Sequence, residues 1–319
     1  MKLQVYMVLL AALLAAVAGR PAWAERVLVH IPTYSDAVMP LVVARDKGFY
    51  AQERIEAVLV QARGAIGLKA MIAGEFDFST AIGSALVAAL QGLPVKILMV
   101  ADYKPMFWLY ARPEFSSVEQ LRGKRIAVSA LASASDTLLR HVLQRRGLLS
   151  KEVVIIAIGA GTERYVALNT GTVEAAVLSA PSNLLAEKAG LRMLASFGDE
   201  FETVKGGLAG PTKLLAGNPT KVQRFIKATI KGLRYFKENR EGSIPLMTKS
   251  MKIDEETART LYDLQIGAFT DDGLRGDSFM RTSIQMQMEQ LGKKGLVPID
   301  AVFDFGFAKK ANEELRKTD

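Results

Sequence analysis

Twice in this chain, about a hundred residues apart, the same succession of short apolar run, small-residue turn and helical stretch recurs. A chain written this way is constrained to a repeated α/β architecture. "RVLVHI", from Arg26, leads through "PTYSD" into the helix-like "DAVMPLVVARDKG"; "RIAVS", residues 125–129, leads through "ALASASD" into "TLLRHVLQRRG". Ser35-Asp36 returns as Ser135-Asp136, Gly48 as Gly147, Gly74 as Gly171, and Asp77 as Glu174. The next strands, "EAVLV" and "VVIIA", are each followed by a Gly-containing turn and a helix, in "ARGAIGLKAMIAGEFDF" and "GAGTERYVALNTGTVEAAV". Strands alternating with helices of roughly 10 to 15 residues predict mostly parallel sheets. Two lobes on one plan account for the coincident marks; a chance succession of generic βα units is the competing reading.

"FDFST", "GSALVAALQG" and "VKILMVA" continue the first copy as strand, helix and strand. Between the copies, "MFWLYARPEFSSVEQLRG" reads as a strand and a turn. A helical third follows the second copy. In "PTKVQRFIKATIKGLRYFKENR", Pro219 opens a helix whose residues Val222, Phe225, Ile226, Ile230 and Leu233 form a one-sided apolar stripe. These helices are expected to cover the first lobe. Residues 25–112 and 205–319 are then lobe I and 113–204 lobe II, with crossings near Tyr110–Glu114 and Gly206–Leu215 forming a two-strand hinge.

The amino end, residues 1–24, has the layout of a cleavable signal peptide. Lys2 precedes an apolar block from Val5 to Ala18, a break at Gly19-Arg20-Pro21, and Ala22-Trp23-Ala24 as an A-x-A cleavage site. The block is shorter than the roughly 20 residues of a spanning helix. The 319-residue chain has no cysteine. This excludes disulfides, thiolate metal sites, a cysteine nucleophile and a lipid-bearing cysteine, so a soluble protein of a bacterial periplasm is expected, with secretion into the medium left open. Cleavage would lower the net charge of +8 by the two charges of Lys2 and Arg20. That balance tolerates anionic ligands, and no Lys/Arg block marks a nucleic-acid surface.

Four segments in this order and spacing resemble a known family: "PLVVARDKGFYAQERIEAVLV", "LKAMIAGEFDFSTAIGSALVAALQGLPVKIL", "SSVEQLRGKRIAVSALASASDTLLRHVLQRRGL" and "ALNTGTVEAAVLSAPS". The family is the periplasmic solute-binding proteins of ABC transporters, of the nitrate/sulfonate/taurine type. The resemblance spans nearly all of the chain after residue 24 and implies the type II periplasmic-binding-protein fold, two α/β lobes that close on a small ligand. It implies a monomeric receptor, without cofactor or metal, that serves the transmembrane subunits of a permease.

In open α/β sheets ligands bind beyond the carboxyl ends of strands, where helix N-termini offer unpaired N–H groups and a partial positive charge. Small residues there let a ligand approach the backbone. The first copy supplies Thr33, Tyr34 and Ser35, then Arg63 and Gly64, then Thr80, Ala81, Gly83 and Ser84. The second supplies Ser129, Ser133 and Ser135, then Gly161 and Thr162, then Ser179. By the resemblance these loops face each other across the cleft, although each hydroxyl also fits a helix cap. Arg63, just before Gly64, is the charged candidate for gripping an anion, with a solvent-facing side chain as the alternative. Arg164 is the equivalent candidate in the second copy but, one turn into its helix, is expected to face solvent.

Catalysis finds little support. His30 in an apolar strand and His141 in a helix have no partner motif, and HExxH, G-x-S-x-G and Walker signatures are all missing. Glu75 and Asp77 read as a turn residue and a structural acceptor. A fold-related enzyme of thiamine-pyrimidine synthesis is one alternative, but that group carries a Cys-rich motif. Hydroxymethylbilane synthase shares the architecture and needs a cofactor-bearing Cys. A receptor that hands its ligand to a signalling partner is the other alternative. The ligand class expected is a small, anionic organic solute: a sulfonate, nitrate, taurine or a pyrimidine precursor.

Overall fold

The structure, a computed structural model, describes residues 24–62, 64–129, 131 and 133–317. The expected signal peptide therefore lies outside the described residues, apart from Ala24, and so does Arg63. The ten strands are β1 (Glu25–Ile31), β2 (Ile55–Gln61), β3 (Phe78–Ser79), β4 (Val95–Asp102), β5 (Trp108–Ala111), β6 (Arg125–Val128), β7 (Val154–Ala157), β8 (Ala175–Leu178), β9 (Arg192–Ser196) and β10 (Gly206–Pro211). They form two five-stranded sheets, ordered β2-β1-β3-β10-β4 and β7-β6-β8-β5-β9.

The repeat seen in the sequence is written into both sheets. Asp77 Oδ2 accepts the Leu28 N–H of β1 at 2.9 Å, and Glu174 Oε2 accepts the Arg125 N–H of β6 at 2.9 Å. In each case the backbone N–H of the acid also donates to the carbonyl of that strand residue. Acid and strand residue are 49 positions apart in both copies. The acids are thus structural acceptors that seat β3 and β8 beside the first strand of each copy of the repeat, β1 and β6. Asp77 also takes the Lys221 ammonium at 2.7 Å, and the Arg125 guanidinium holds the Glu174 carboxyl down at about 2.

Side chains alternate between two faces along each strand. On β5, Leu109 and Ala111 enter one apolar cluster with Ile126, Val128 and Val177, while Trp108 and Tyr110 enter another with Ala127, Ala176 and Leu178. Each sheet is therefore covered by helices on both faces, as parallel strands require. The C-terminal helices cover the first sheet. Helix Pro219–Glu238 buries Val222, Phe225, Ile226, Ile230 and Leu233 completely. Phe225 lies stacked between Tyr50 and Phe78, at centroid distances of 4.8 and 4.5 Å.

The crossings differ from the expected ones. Trp108–Ala111 belongs to the second sheet, so the chain leaves the first after Asp102, not near Tyr110–Glu114. It returns through 201–205, ahead of β10, rather than within Gly206–Leu215. The boundary read at 112/113 therefore moves to the segment 103–107. An apolar run such as "FWLYA" carries no local mark of which sheet it joins.

Candidate functional site

Strand directions place the cleft. β1 runs parallel to β2 and β3, and β10 runs antiparallel to both β3 and β4, so β4 ends on the same edge as β1. In the second sheet β6 is parallel to β7 and β8, and β5 is antiparallel to β8 and β9. The chain thus leaves the carboxyl edge of one sheet at Asp102 and enters the carboxyl edge of the other at Trp108. Residues 103–107 can span at most roughly 20 Å, so the two edges are tethered face to face. The second crossing pairs with the first, with Thr203 N–H donating to Tyr103 O at 2.8 Å and Lys205 N–H to Asp102 O at 3.2 Å. Beside the crossings the cleft has a volume of about 450 Å3, bordered by Gly83 and Ser84 of the first lobe and Ala134 and Thr137 of the second.

On the first lobe a hydrogen-bonded chain fixes two of the expected loops. His30 is fully buried near the end of β1; its Nε2 faces Ala62 O at 3.1 Å and its Nδ1 faces Ser79 Oγ at 2.7 Å. A carbonyl can only accept, so Nε2 carries the proton and Nδ1 accepts from the Ser79 hydroxyl, which itself accepts the Ala81 N–H at 3.1 Å. The imidazole therefore ties the turn before Gly64 to the turn of Thr80 and Ala81, and burial lowers its pKa. Gly67 lets helix Gly64–Ala73 lie on the ring, since a β-carbon there would fall 2.1 Å from it.

Of the other expected residues, Thr80 and Ala81 are buried, and Thr80 donates its N–H to His30 O at 3.0 Å. Gly83 is exposed and faces the second crossing. Thr33 is exposed; Tyr34 packs on the first-lobe core; Ser35 makes no side-chain cap.

On the second lobe Ser129, Ser133 and Ser135 come together. Their three Oγ atoms lie 2.9 Å from one another, Ser129 N–H donates to Ser135 Oγ at 3.0 Å, and Ser133 caps helix Ala134–Arg145 through the Asp136 N–H at 3.4 Å. Three hydroxyls at the positive end of a helix make a polar cradle, each able to turn its proton toward an incoming oxygen. Gly161 starts helix Gly161–Asn169 and Thr162 is exposed beside it, while Ser179 O accepts the Asn183 N–H at 3.2 Å. Arg164 departs from expectation. It is 3% exposed, donating from Nε to Val177 O at 2.7 Å and from Nη1 to Gly159 O. Its acceptors come from a distant strand and a turn, and the periodicity of its own helix carries no sign of them.

A buried ion cluster anchors the crossings. Lys205 Nζ meets Asp102 Oδ2 at 2.6 Å and Asp36 Oδ2 at 2.8 Å, joining the second crossing to the end of β4 and to the turn after β1. Desolvation of the fully buried Asp102 outweighs the pull of Lys205, pushing its carboxyl up to about 6.

Two α/β sheets joined at their carboxyl edges by paired crossings define the type II periplasmic-binding-protein fold. The sequence matches the family described as NMT1/THI5 like over residues 36–243, and the chain belongs to that family. It is 30% identical over 217 residues to the riboflavin-binding protein RibY of Chloroflexus aurantiacus, covering 64% of this chain and 59% of that protein's length. The fold is also that of the periplasmic aliphatic sulphonate binding protein SsuA from Escherichia coli, with a TM-score of 0.73, 16% identity and coverage of 89% of this chain and 92% of the other. The desulfurization enzyme DszB shares it as well, with a TM-score of 0.70 and 15% identity over 92% of this chain and 100% of that one. The architecture thus serves binding proteins and an enzyme alike. Among the described residues no helix is long and apolar enough to cross a membrane, and no group of three or more acidic, His or Cys residues could hold a metal ion.

Proposed function

We propose that this protein is the periplasmic receptor of an ABC-type uptake system, closing its lobes on a small anionic organic solute and presenting the closed form to permease subunits. The observation that carries the reading is the pair of short crossings holding two carboxyl edges face to face, with helix N-termini and small hydroxyl residues on both sides. Ligand contacts to both lobes would favour the closed form, and closure is a population shift of the size those contacts supply. The relatives named for riboflavin and for sulphonates supply the first probes.

A catalytic reading needs an acid or base exposed to the ligand. His30 spends both nitrogens on Ser79 and Ala62 within the first lobe, and the chain has no cysteine. Binding is therefore favoured over the enzyme alternative, and a permease over a signalling partner by the likeness in fold to the SsuA of Methylobacillus flagellatus, described as the periplasmic sulfonate-binding protein of a sulfonate ABC transporter.

Native mass spectrometry of the gently purified mature chain is expected to show a retained small molecule. Adding that molecule back to stripped protein is expected to shift the emission of Trp108, which opens β5 beside the first crossing. Stripped, folded protein that responds to no sulfonate, carboxylate or flavin in fluorescence or Tm would overturn the reading.

A further inference from the structure

Three polar side chains of the second lobe are buried at the starts of helices Gly161–Asn169 and Ser182–Lys188. Arg164 is 3%, Ser182 2% and Asn183 1% exposed. Arg164 uses Nε and Nη1 on carbonyls; no hydrogen bond of its Nη2 and no ion pair of its guanidinium occurs among the described residues. The acid next to it, Glu163, instead accepts the Ala160 N–H at 3.0 Å. Asn183 Oδ1 is buried without a hydrogen-bond partner, and the Ser182 hydroxyl makes no hydrogen bond among the described residues. A buried polar group without a partner costs free energy in the empty protein.

Two of these side chains, Arg164 and Ser182, converge on one spot. A β-carbon built on Gly161 would lie 2.8 Å from Ser182 Oγ and 3.8 Å from Arg164 Nη2. Gly161 is also the first residue of a nine-residue helix, whose leading N–H groups have no intrahelical partner. Glycine keeps this spot open, so a positive helix end, a hydroxyl and the free arm of a guanidinium share one small space beyond the carboxyl end of β7.

We propose that Arg164, with Ser182 and the amino end of helix Gly161–Asn169, is the subsite that binds a singly charged oxyanion group, carboxylate or sulfonate, of the solute. This rests on the solute-binding reading above and narrows it. One cation without an ion pair among the described residues matches one negative charge, so a monoanion is preferred over a neutral ligand such as riboflavin and over a phosphate dianion. The three-serine cradle, the other polar cluster of this lobe, carries no charge and is left for the uncharged part of the solute.

The test uses the mature chain with butane-1-sulfonate and butyrate against butane-1-sulfonamide and butyramide, at constant ionic strength, read as Tm. The acids are expected to raise Tm saturably and the amides not. Arg164→Gln is expected to abolish the rise, and Ser182→Ala to weaken its midpoint about tenfold, in line with one hydrogen bond to a charged group. Ser182→Ala removes no hydrogen bond from the empty protein, so it keeps the test meaningful where Arg164→Gln fails to fold. Equal shifts from acids and amides, an unchanged response in both variants, or no saturable rise with either acid would overturn the proposal. Riboflavin raising the Tm of wild type and Arg164→Gln alike would overturn the subsite while leaving solute binding standing. No retained solute and no response to any probe would sink both.

Discussion

His30 couples local geometry to pH through a single proton. Its pKa is lowered by burial, so between that lowered value and its ordinary 6.5 the unfolded chain takes up a proton that the folded chain refuses. Stability from this residue is full above about pH 6.5 and is lost as pH falls below it. Urea unfolding at stepped pH is expected to show that loss in the wild type and a smaller one in His30→Asn; identical profiles would remove the imidazole from the account. The residue scale was partly legible. An apolar strand around His30 points to a structural role, but Ser79 and Ala62 lie 49 and 32 positions away and leave no mark near it. Arg164 was misread for the same reason: helical spacing fixes direction about one axis, and burial depends on what packs against it.

Among the elements, helix Pro219–Glu238 was the most legible, since its 3.6-residue stripe names the side chains that become the core. What the stripe omits is how closely the helix approaches its neighbour. A β-carbon on Gly232 would fall 2.1 Å from Pro40 O and 2.8 Å from the Ala44 side chain in helix Met39–Asp46. An exposed Gly232→Ala would gain about 1 kcal/mol of helix propensity. Here a rigid backbone oxygen blocks the methyl, and overpacking costs about 1–3 kcal/mol or more. Gly232→Ala is expected to lower the unfolding free energy by about 2 kcal/mol in denaturant titration; an unchanged or raised midpoint would mean that the helices separate freely. Short β3 shows the opposite limit: "FDFST" reads as a five-residue strand, yet the strand itself is only Phe78–Ser79, flanked by single backbone bonds from the Asp77 N–H to Leu28 O and from the Thr80 N–H to His30 O.

For the whole molecule, the two-lobe plan was legible from the recurring Gly and acid marks, and the crossings were not. The Asp36–Lys205–Asp102 cluster ties both crossings to the first lobe. With its carboxyl at about 6 against an ordinary 3.8, Asp102 keeps a proton in the folded state between pH 4 and 6 that the unfolded chain has lost. Its contribution to stability therefore falls as pH rises through that window and is flat above it, opposite in sign to His30. Asp102→Asn is expected to remove this falling component, measured as the wild-type minus variant difference in unfolding free energy; a difference that is flat from pH 4 to 6 would contradict it. The sheet order also fixes a sequence of events during synthesis. Among the described strands β4 has β10 as its neighbour, its other edge meeting isolated bridges to Phe269 and Phe303, so residues 95–102 have no partner strand until residue 211 has been made. Some hundred residues, the entire second sheet, must be made before the first sheet can be completed. The second sheet, whose strands run without interruption from β5 to β9, is then the half able to form first and to serve as the surface on which the other is assembled.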